Sequence, residues 1–366
     1  MLKNYLKIAV RNLVKYKGYN IINVSGLALG LTCCILIFLF IRHEWSYDNF
    51  HERKDLIYSL TIQERQSDGH LQYHRLIPLG VPEALGKEYT GIRSVVQFVS
   101  GDVTLMHAGQ AFREEIFEAD STFFRIFSFP LLAGDPNTAL SRPAQMVVSE
   151  MIAHKYFGEE VGEDYQNVLG NTLSIRMRDG MQDFRISGVM KNCPDNSSLQ
   201  TNILIPFRNY PNLPLGSNEI NGRTSTYVLL DESQDVVLLE QALQPFIALH
   251  FKDRIESRQA RGLLAPEPDA LQLRLQPLRE LHLNPEVPVY YEQPPHDPRY
   301  SYLLSGIALI VLLIGCINFT SLSMARSTSR AREVGMRKAM GALKRQLMAQ
   351  FWGEAILLAF LALMLG

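Results

Sequence analysis

The sequence predicts an α-helical membrane protein with a large α+β extracytoplasmic domain inserted between transmembrane helices 1 and 2. Three observations carry that reading. Two long uncharged apolar runs lie far apart in the chain. A dense cluster of positive charge sits beside each. A mixed strand-and-helix pattern fills the residues between them.

Residues 1–20 read MLKNYLKIAVRNLVKYKGYN. Lys3, Lys7, Arg11 and Lys15 recur at i+4, one face of a helix, while Leu2, Leu6, Ala9, Leu13 and Tyr16 fill another. Such an amphipathic basic helix suits the anionic cytoplasmic face of a membrane, with the chain turning into lipid at Gly18. Residues 21–41, IINVSGLALGLTCCILIFLFI, carry no charge and are predicted as transmembrane helix 1. About 21 residues rise far enough to cross roughly 30 Å of hydrocarbon. A cleaved signal peptide has a shorter apolar core and a small-residue cleavage site; here RHEWSYDNFHER follows. Gly26 and Gly30 form a G-x-x-x-G, a spacing that lets helices approach closely and also arises often by chance.

Residues 42–300 are the extracytoplasmic region. LIYSLTI (56–62), IRSVVQFV (92–99), DFRISGVM (183–190), TYVLL (226–230) and LQLRLQPL (271–278) predict strands. SEMIAHKYFG (149–158) and VVLLEQALQPFIALHF (236–251) predict helices, and two α+β subdomains are expected. Residues 209–223 read as a Pro-, Gly- and Asn-rich loop, and 284–299 as a stiff proline-rich connector. Residues 301–324 are transmembrane helix 2, again uncharged over YLLSGIALIVLLIGCINFTSLSM. Asn318 within it is suited to bond a neighbouring helix. Residues 325–350 form a basic cytoplasmic segment, with Gly335 and Gly341 punctuating short helical pieces. Residues 351–366 begin a third apolar helix. Its uninterrupted run, AILLAFLALMLG, is too short to span, as expected of a truncated third helix.

The net charge of −1 and pI near 6.8 hide a segregation. Residues 1–20 carry about +5 and residues 325–348 about +6, leaving roughly −12 on the rest. Both basic segments flank spans, so the positive-inside rule places them in the cytoplasm and the inserted region outside. Of the four cysteines, Cys33, Cys34 and Cys316 lie in apolar runs, and Cys193 alone falls in the inserted region. That region must therefore hold together through its core rather than an intramolecular disulfide.

Catalytic motifs fail on inspection. GVPEALGKEY has the wrong spacing for a phosphate loop, and Glu88 stands where a hydroxyl should hold magnesium. His70 and His74 lack the glutamate of a zinc motif and read as surface histidines. The basic segments lack interleaved aromatics, which argues against nucleic acid. No catalytic, cofactor or metal residue is assigned.

RAREVGMRKAMGALKRQLMAQFWGEAILLAF resembles the signature of the FtsX-like permease family, which includes MacB-type and Lol-type ABC transporter membrane subunits. The matched positions are Arg330, Glu333, Val334, Gly335, Met336, Arg337, Lys338, Gly341 and Ala342. VVSEMIAHKYFG, LGNTLSI and FRISGVMKNCPDNSSLQTNILIP resemble a MacB-type periplasmic core domain. The start of the chain is similar to long permeases of Bacteroidetes-type bacteria. The resemblance covers nearly the whole chain. It implies an inner-membrane permease subunit, itself no enzyme, whose segment 330–342 docks as a coupling helix on a cytoplasmic ABC ATPase. ATP would then be bound by that partner, and movement relayed to the periplasmic domain for export or envelope remodelling. The resemblance also implies contact with membrane lipid. It leaves open a second permease copy or homologue, and a periplasmic or outer-membrane partner. Family members have at least four transmembrane helices, so this chain corresponds to the first half or less of a long permease. The alternative is a membrane-bound sensor with an extracytoplasmic ligand-binding domain; a tethered enzyme is the third reading.

Overall fold

The computed structural model describes residues 17–161, 164–177, 180–207, 223–341 and 343–366. The amphipathic stretch 1–16, the loop 208–222 and Ala342 lie outside the described residues. The chain divides into two compact units, Met1–Trp45 with Pro298–Gly366, and Ser46–Asp297.

The first unit is helical. Helix α1 spans Lys17–Glu44, so Gly18, where a turn was expected, lies inside its first turn. Among the described residues three helices are long and apolar enough to cross a membrane, over Asn20–Glu44, Pro298–Ala325 and Leu347–Leu365. The third corrects the expectation of a run too short to span. Leu347, Met348, Phe351 and Trp352 extend the apolar stretch upstream of Gly353 and Glu354, and one interior charge does not stop a helix.

The second unit is built on strands. Its sheet runs in the order β12 (Leu271–Pro277), β1 (Ile57–Arg65), β11 (Arg223–Leu230), β4 (Ile92–His107), β5 (Gln110–Ala119), β10 (Ile203–Pro206), β7 (Gln145–Ser149), β9 (Gly180–Met190) and β6 (Leu131–Gly134). Strand β2 (Leu71–His74) adds to β1, β3 (Leu76–Pro78) to β11, and β8 (Thr172–Met177) to both β4 and β9. The two expected subdomains therefore share one sheet. Strand β4 is the reason: Ile92–Phe98 pairs with β11, while Thr104–Met106 pairs with β8. It turns back into β5 through Ala108 and Gly109, both at positive φ (48° and 77°), as a tight hairpin requires.

Apolar alternation sets what each face buries. Leu271, Leu273 and Leu275 of β12 join Leu60 and Ile62 of β1 in one core. Helix α2 (Gly80–Glu88), the GVPEALGKE segment, contributes Val81 and Leu85 to it. Helix α3 (Phe123–Ile126) sits in a second, aromatic core with Phe98, Phe117, Phe127 and Tyr227. Helix α4 (Glu150–Phe157) starts where the Ser149 hydroxyl accepts from the Ile152 N–H, and it covers a third core with β7, β8 and β9. The helix expected over 236–251 is two pieces, α5 (Val236–Ala242) and α6 (Gln244–His250). Pro245 lies in the first turn of α6 and cannot donate the backbone bond that would join them. Helix α7 (Lys252–Ala260) follows.

Candidate coupling segment and membrane helix pair

Helix α8 runs unbroken over 42 residues, Pro298–Ala339. It does not stop at the expected boundary after Met324. The apolar span and most of the basic signature are one rod. Gly335 is helical, so it does not punctuate the segment as expected; a glycine inside a helix costs about 1 kcal/mol relative to alanine but does not by itself end it. Gly341 ends it instead. Its φ is +89°, and its N–H bonds the Lys338 carbonyl while Met340 N–H bonds that of Met336. Helix α9 (Lys344–Leu365) follows after this turn.

The predicted signature residues thus fall in three places. Arg330, Glu333, Gly335, Met336, Arg337 and Lys338 lie on the last turns of α8, Gly341 is its terminator, and Ala342 is outside the described residues. Met336 is 59% exposed, Met340 79% and Leu343 66%. Three large apolar side chains near the end of the basic stretch are thus exposed.

Gly26 and Gly30 also find a setting. A Cβ on Gly26 would meet Asn318 Nδ2 at 3.2 Å, and one on Gly30 would meet the Val311 carbonyl oxygen at 3.8 Å. Further along, the Cys34 thiol bonds the Ala308 carbonyl at 3.3 Å, and Trp45 meets Tyr302 edge-on at 6.3 Å. Residue numbers rise on α1 as they fall on α8, so the two helices are antiparallel with small residues at the seam. This distance pattern predicts an asymmetry. Gly30→Ala adds an ordinary contact and leaves the full chain's melting temperature in mild detergent unchanged. Gly30→Leu forces the backbones apart and costs about 1–3 kcal/mol. Equal melting of the two variants contradicts close packing at this seam.

Sequence reasoning missed two buried charge clusters in the second unit. In one, Glu64 of β1 meets Arg254 and Arg258 of α7 at 2.6 and 2.9 Å, with His74 at 3.4 Å. His74 is thus half-buried against a carboxylate rather than a surface histidine. In the other, Arg75, Tyr227 and Glu292 share hydrogen bonds. Partners so distant in the chain leave no local pattern to read.

Membrane-length helices and an α+β unit inserted between the first and second define the class: an α-helical membrane protein with a large inserted α+β domain. A family model for the MacB-like periplasmic core domain matches residues 21–246, and one for the FtsX-like permease C-terminal region matches residues 305–366. The chain belongs to this MacB-like, FtsX-like family of ABC transporter permeases. The macrolide export ATP-binding/permease protein MacB of Shewanella sp. strain W3-18-1 is 24% identical over 280 residues, 75% of this chain and 37% of that relative. The pyoverdine export ATP-binding/permease protein PvdT of Pseudomonas putida is 23% identical over 270 residues, 73% of this chain and 36% of that relative. The chain thus spans little more than a third of the length of these curated relatives. A crystallised domain of a protein assigned as a permease from Porphyromonas gingivalis shares the fold, with a TM-score of 0.52 at 21% identity, covering 70% of this chain and 98% of that domain.

Proposed function

We propose that this chain is the membrane subunit of an ABC-type machine of the bacterial inner membrane, working with a separate ATPase chain. ATP closes the ATPase, the end of α8 is displaced, and the unit Ser46–Asp297 moves on the periplasmic side for export or envelope remodelling. Charge supports this orientation, since positive flanks stay cytoplasmic. The relatives MacB and PvdT are each named ATP-binding/permease proteins, which is in keeping with an ATPase partner. The observation that carries the reading is the helix α8 itself. One uninterrupted rod holds both a membrane span and the exposed Met336, and the exposed Met340 and Leu343 follow just beyond its end. An apolar strip ringed by charge is what a protein groove accepts from a helix. In this reading ATP is bound by the partner, and Glu333 pairs with a cation there.

The test is purification of the complete native permease in mild detergent, with and without Glu333→Lys and Gly341→Trp together. Tryptophan is strained at φ +89°, so the helix end is re-aimed as well as recharged. An ATPase chain co-purifies with the wild type and falls at least tenfold with the double variant. Equal recovery from both, or none from either, returns the segment to a topology signal and reopens the sensor reading.

A further inference from the structure

The chain passes into the second unit at Ser46 and leaves it at Asp297. Both ends are held by the same few residues. On the inbound side, the Asn196 side-chain amide donates to the Ser46 carbonyl at 3.1 Å and to its hydroxyl at 2.9 Å. Asp48 N–H donates to the Asn196 carbonyl at 2.9 Å. Asp48 Oδ1 accepts from the Ser198 N–H at 2.8 Å. On the outbound side, Gln293 N–H donates to the Ser198 carbonyl at 2.8 Å. One peptide-bonded residue, Ser198, therefore grips both ends, with its N–H toward one and its C=O toward the other.

The outbound end is also tied to the sheet. Glu292 Oε1 accepts from the Tyr227 hydroxyl at 2.9 Å and lies 3.3 Å from Arg75 Nη2. Its other oxygen accepts from the Tyr291 N–H at 3.2 Å. Arg75 in turn donates to the Tyr227 hydroxyl at 2.8 Å and to the Ser59 hydroxyl at 3.3 Å. Ser59 belongs to β1 and Tyr227 to β11, paired strands next to the β12 end of the sheet, where the two residues lie opposite one another. Arg75 is 1% exposed, Tyr227 0% and Asp48 0%. Water does not compete for these bonds, so they hold geometry more strictly than surface pairs do. A stability role alone would not need both chain ends on one residue.

We propose that Ser198, Arg75 and Glu292 form a joint that makes the two membrane-connecting ends of the second unit move as one with strands β1 and β11, and so passes displacement of the helices into the sheet. These are positioning residues, acting through the backbone they hold. The inference rests on the coupling reading proposed above.

The test is hydrogen exchange on the full permease with its ATPase in lipid nanodiscs, with ADP and with a non-hydrolysable ATP analogue. In the wild type the analogue changes exchange at 46–51, at 290–293 and in β1 and β11. Arg75→Met keeps ATP hydrolysis within twofold of wild type. It retains the change at the two ends but loses it at least threefold in β1 and β11. Glu292→Gln keeps the shape and an acceptor for Tyr227 while removing the ion pair. It shows the same loss, and it decides the matter if Arg75→Met does not fold. Unaltered protection in β8 and β9 certifies the fold of each variant. A wild-type response with undiminished strand changes in Glu292→Gln overturns the joint alone. No nucleotide response in the wild type overturns the joint and the coupling reading together.

Discussion

Glu64→Gln lowers the stability of the second unit by about 3–5 kcal/mol at neutral pH, the cost of leaving a buried charge without its partner. Glu64 has no exposed side-chain surface, and Arg254 is 5% exposed by side chain. With the carboxylate gone, Arg254 keeps its charge and loses the group that balanced it. The effect depends on pH in a definite sense. Burial works against the Glu64 charge, but His74, Arg254 and Arg258 outweigh it and hold the carboxyl at about 2, below its usual 4.5. The stabilisation is therefore complete above pH 4.5 and is lost as pH falls toward 2, on the order of 3 kcal/mol in all. Calorimetry of the full chain in detergent should show the transition of this unit falling by roughly 10 °C at pH 7, at about 2–4 °C per kcal/mol. The gap should narrow at pH 3. Replacing Glu64 and Arg254 together by apolar residues should recover most of the loss, because a packed apolar pair needs no charge balance. A Glu64→Gln variant that melts with the wild type at pH 7 would refute the account.

That cluster also marks where reading the sequence ends. Glu64 and Arg254 lie 190 residues apart, and nothing in either neighbourhood signals the other. The strands of Ile57–Arg65, Arg223–Leu230 and Leu271–Pro277 were legible because their apolar residues repeat locally, and so were the first two membrane helices. Glycine was legible only as a type. Gly335 and Gly341 look alike in the sequence, yet one continues a helix and the other, at φ +89°, ends it. Tertiary context decides such cases, since glycine tolerates both conformations. The signature around Arg330–Lys338 was legible through resemblance, but its placement on the same rod as the membrane span was not. A boundary between apolar and basic composition is not a boundary between helices. The third helix was underestimated for the converse reason: Gly353 and Glu354 interrupt the apolar run without interrupting the helix.

Asp48→Asn should stabilise the same unit at pH 8 and do little below pH 4. Burial pushes the Asp48 carboxyl up from 3.8 to about 6, against the hydrogen bonds from Ser198 and the charge of Arg75. Its Oδ2 has no hydrogen-bond partner among the described residues. A raised carboxylate is a cost that is present above pH 6 and relieved as pH falls through 6 toward 3.8, on the order of 3 kcal/mol. Asparagine keeps the acceptor for the Ser198 N–H and suits the positive φ of 56° at this position. The wild-type melting curve alone cannot report this residue. Asp120 is also pushed up to about 6 by burial and adds stability on acidification. His51 is pushed down to about 4 by burial, with its Nδ1 accepting from the Ser128 N–H, and loses stability over the same range. The difference between wild type and variant cancels both. That difference should be several degrees at pH 8, fade below pH 4 and be half-developed near pH 5, midway between 3.8 and about 6. A constant offset at every pH would mean that Arg75 and Ser198 compensate the burial of Asp48 in full, or that the side chain matters only for its shape. A difference that keeps growing well above pH 6 would mean that the buried acid stays protonated to still higher pH. In the first case the joint at Ser198 holds a carboxylate whose burial is fully offset, and in the second a protonated acid, so the same titration reports which charge state couples the inbound end to the sheet.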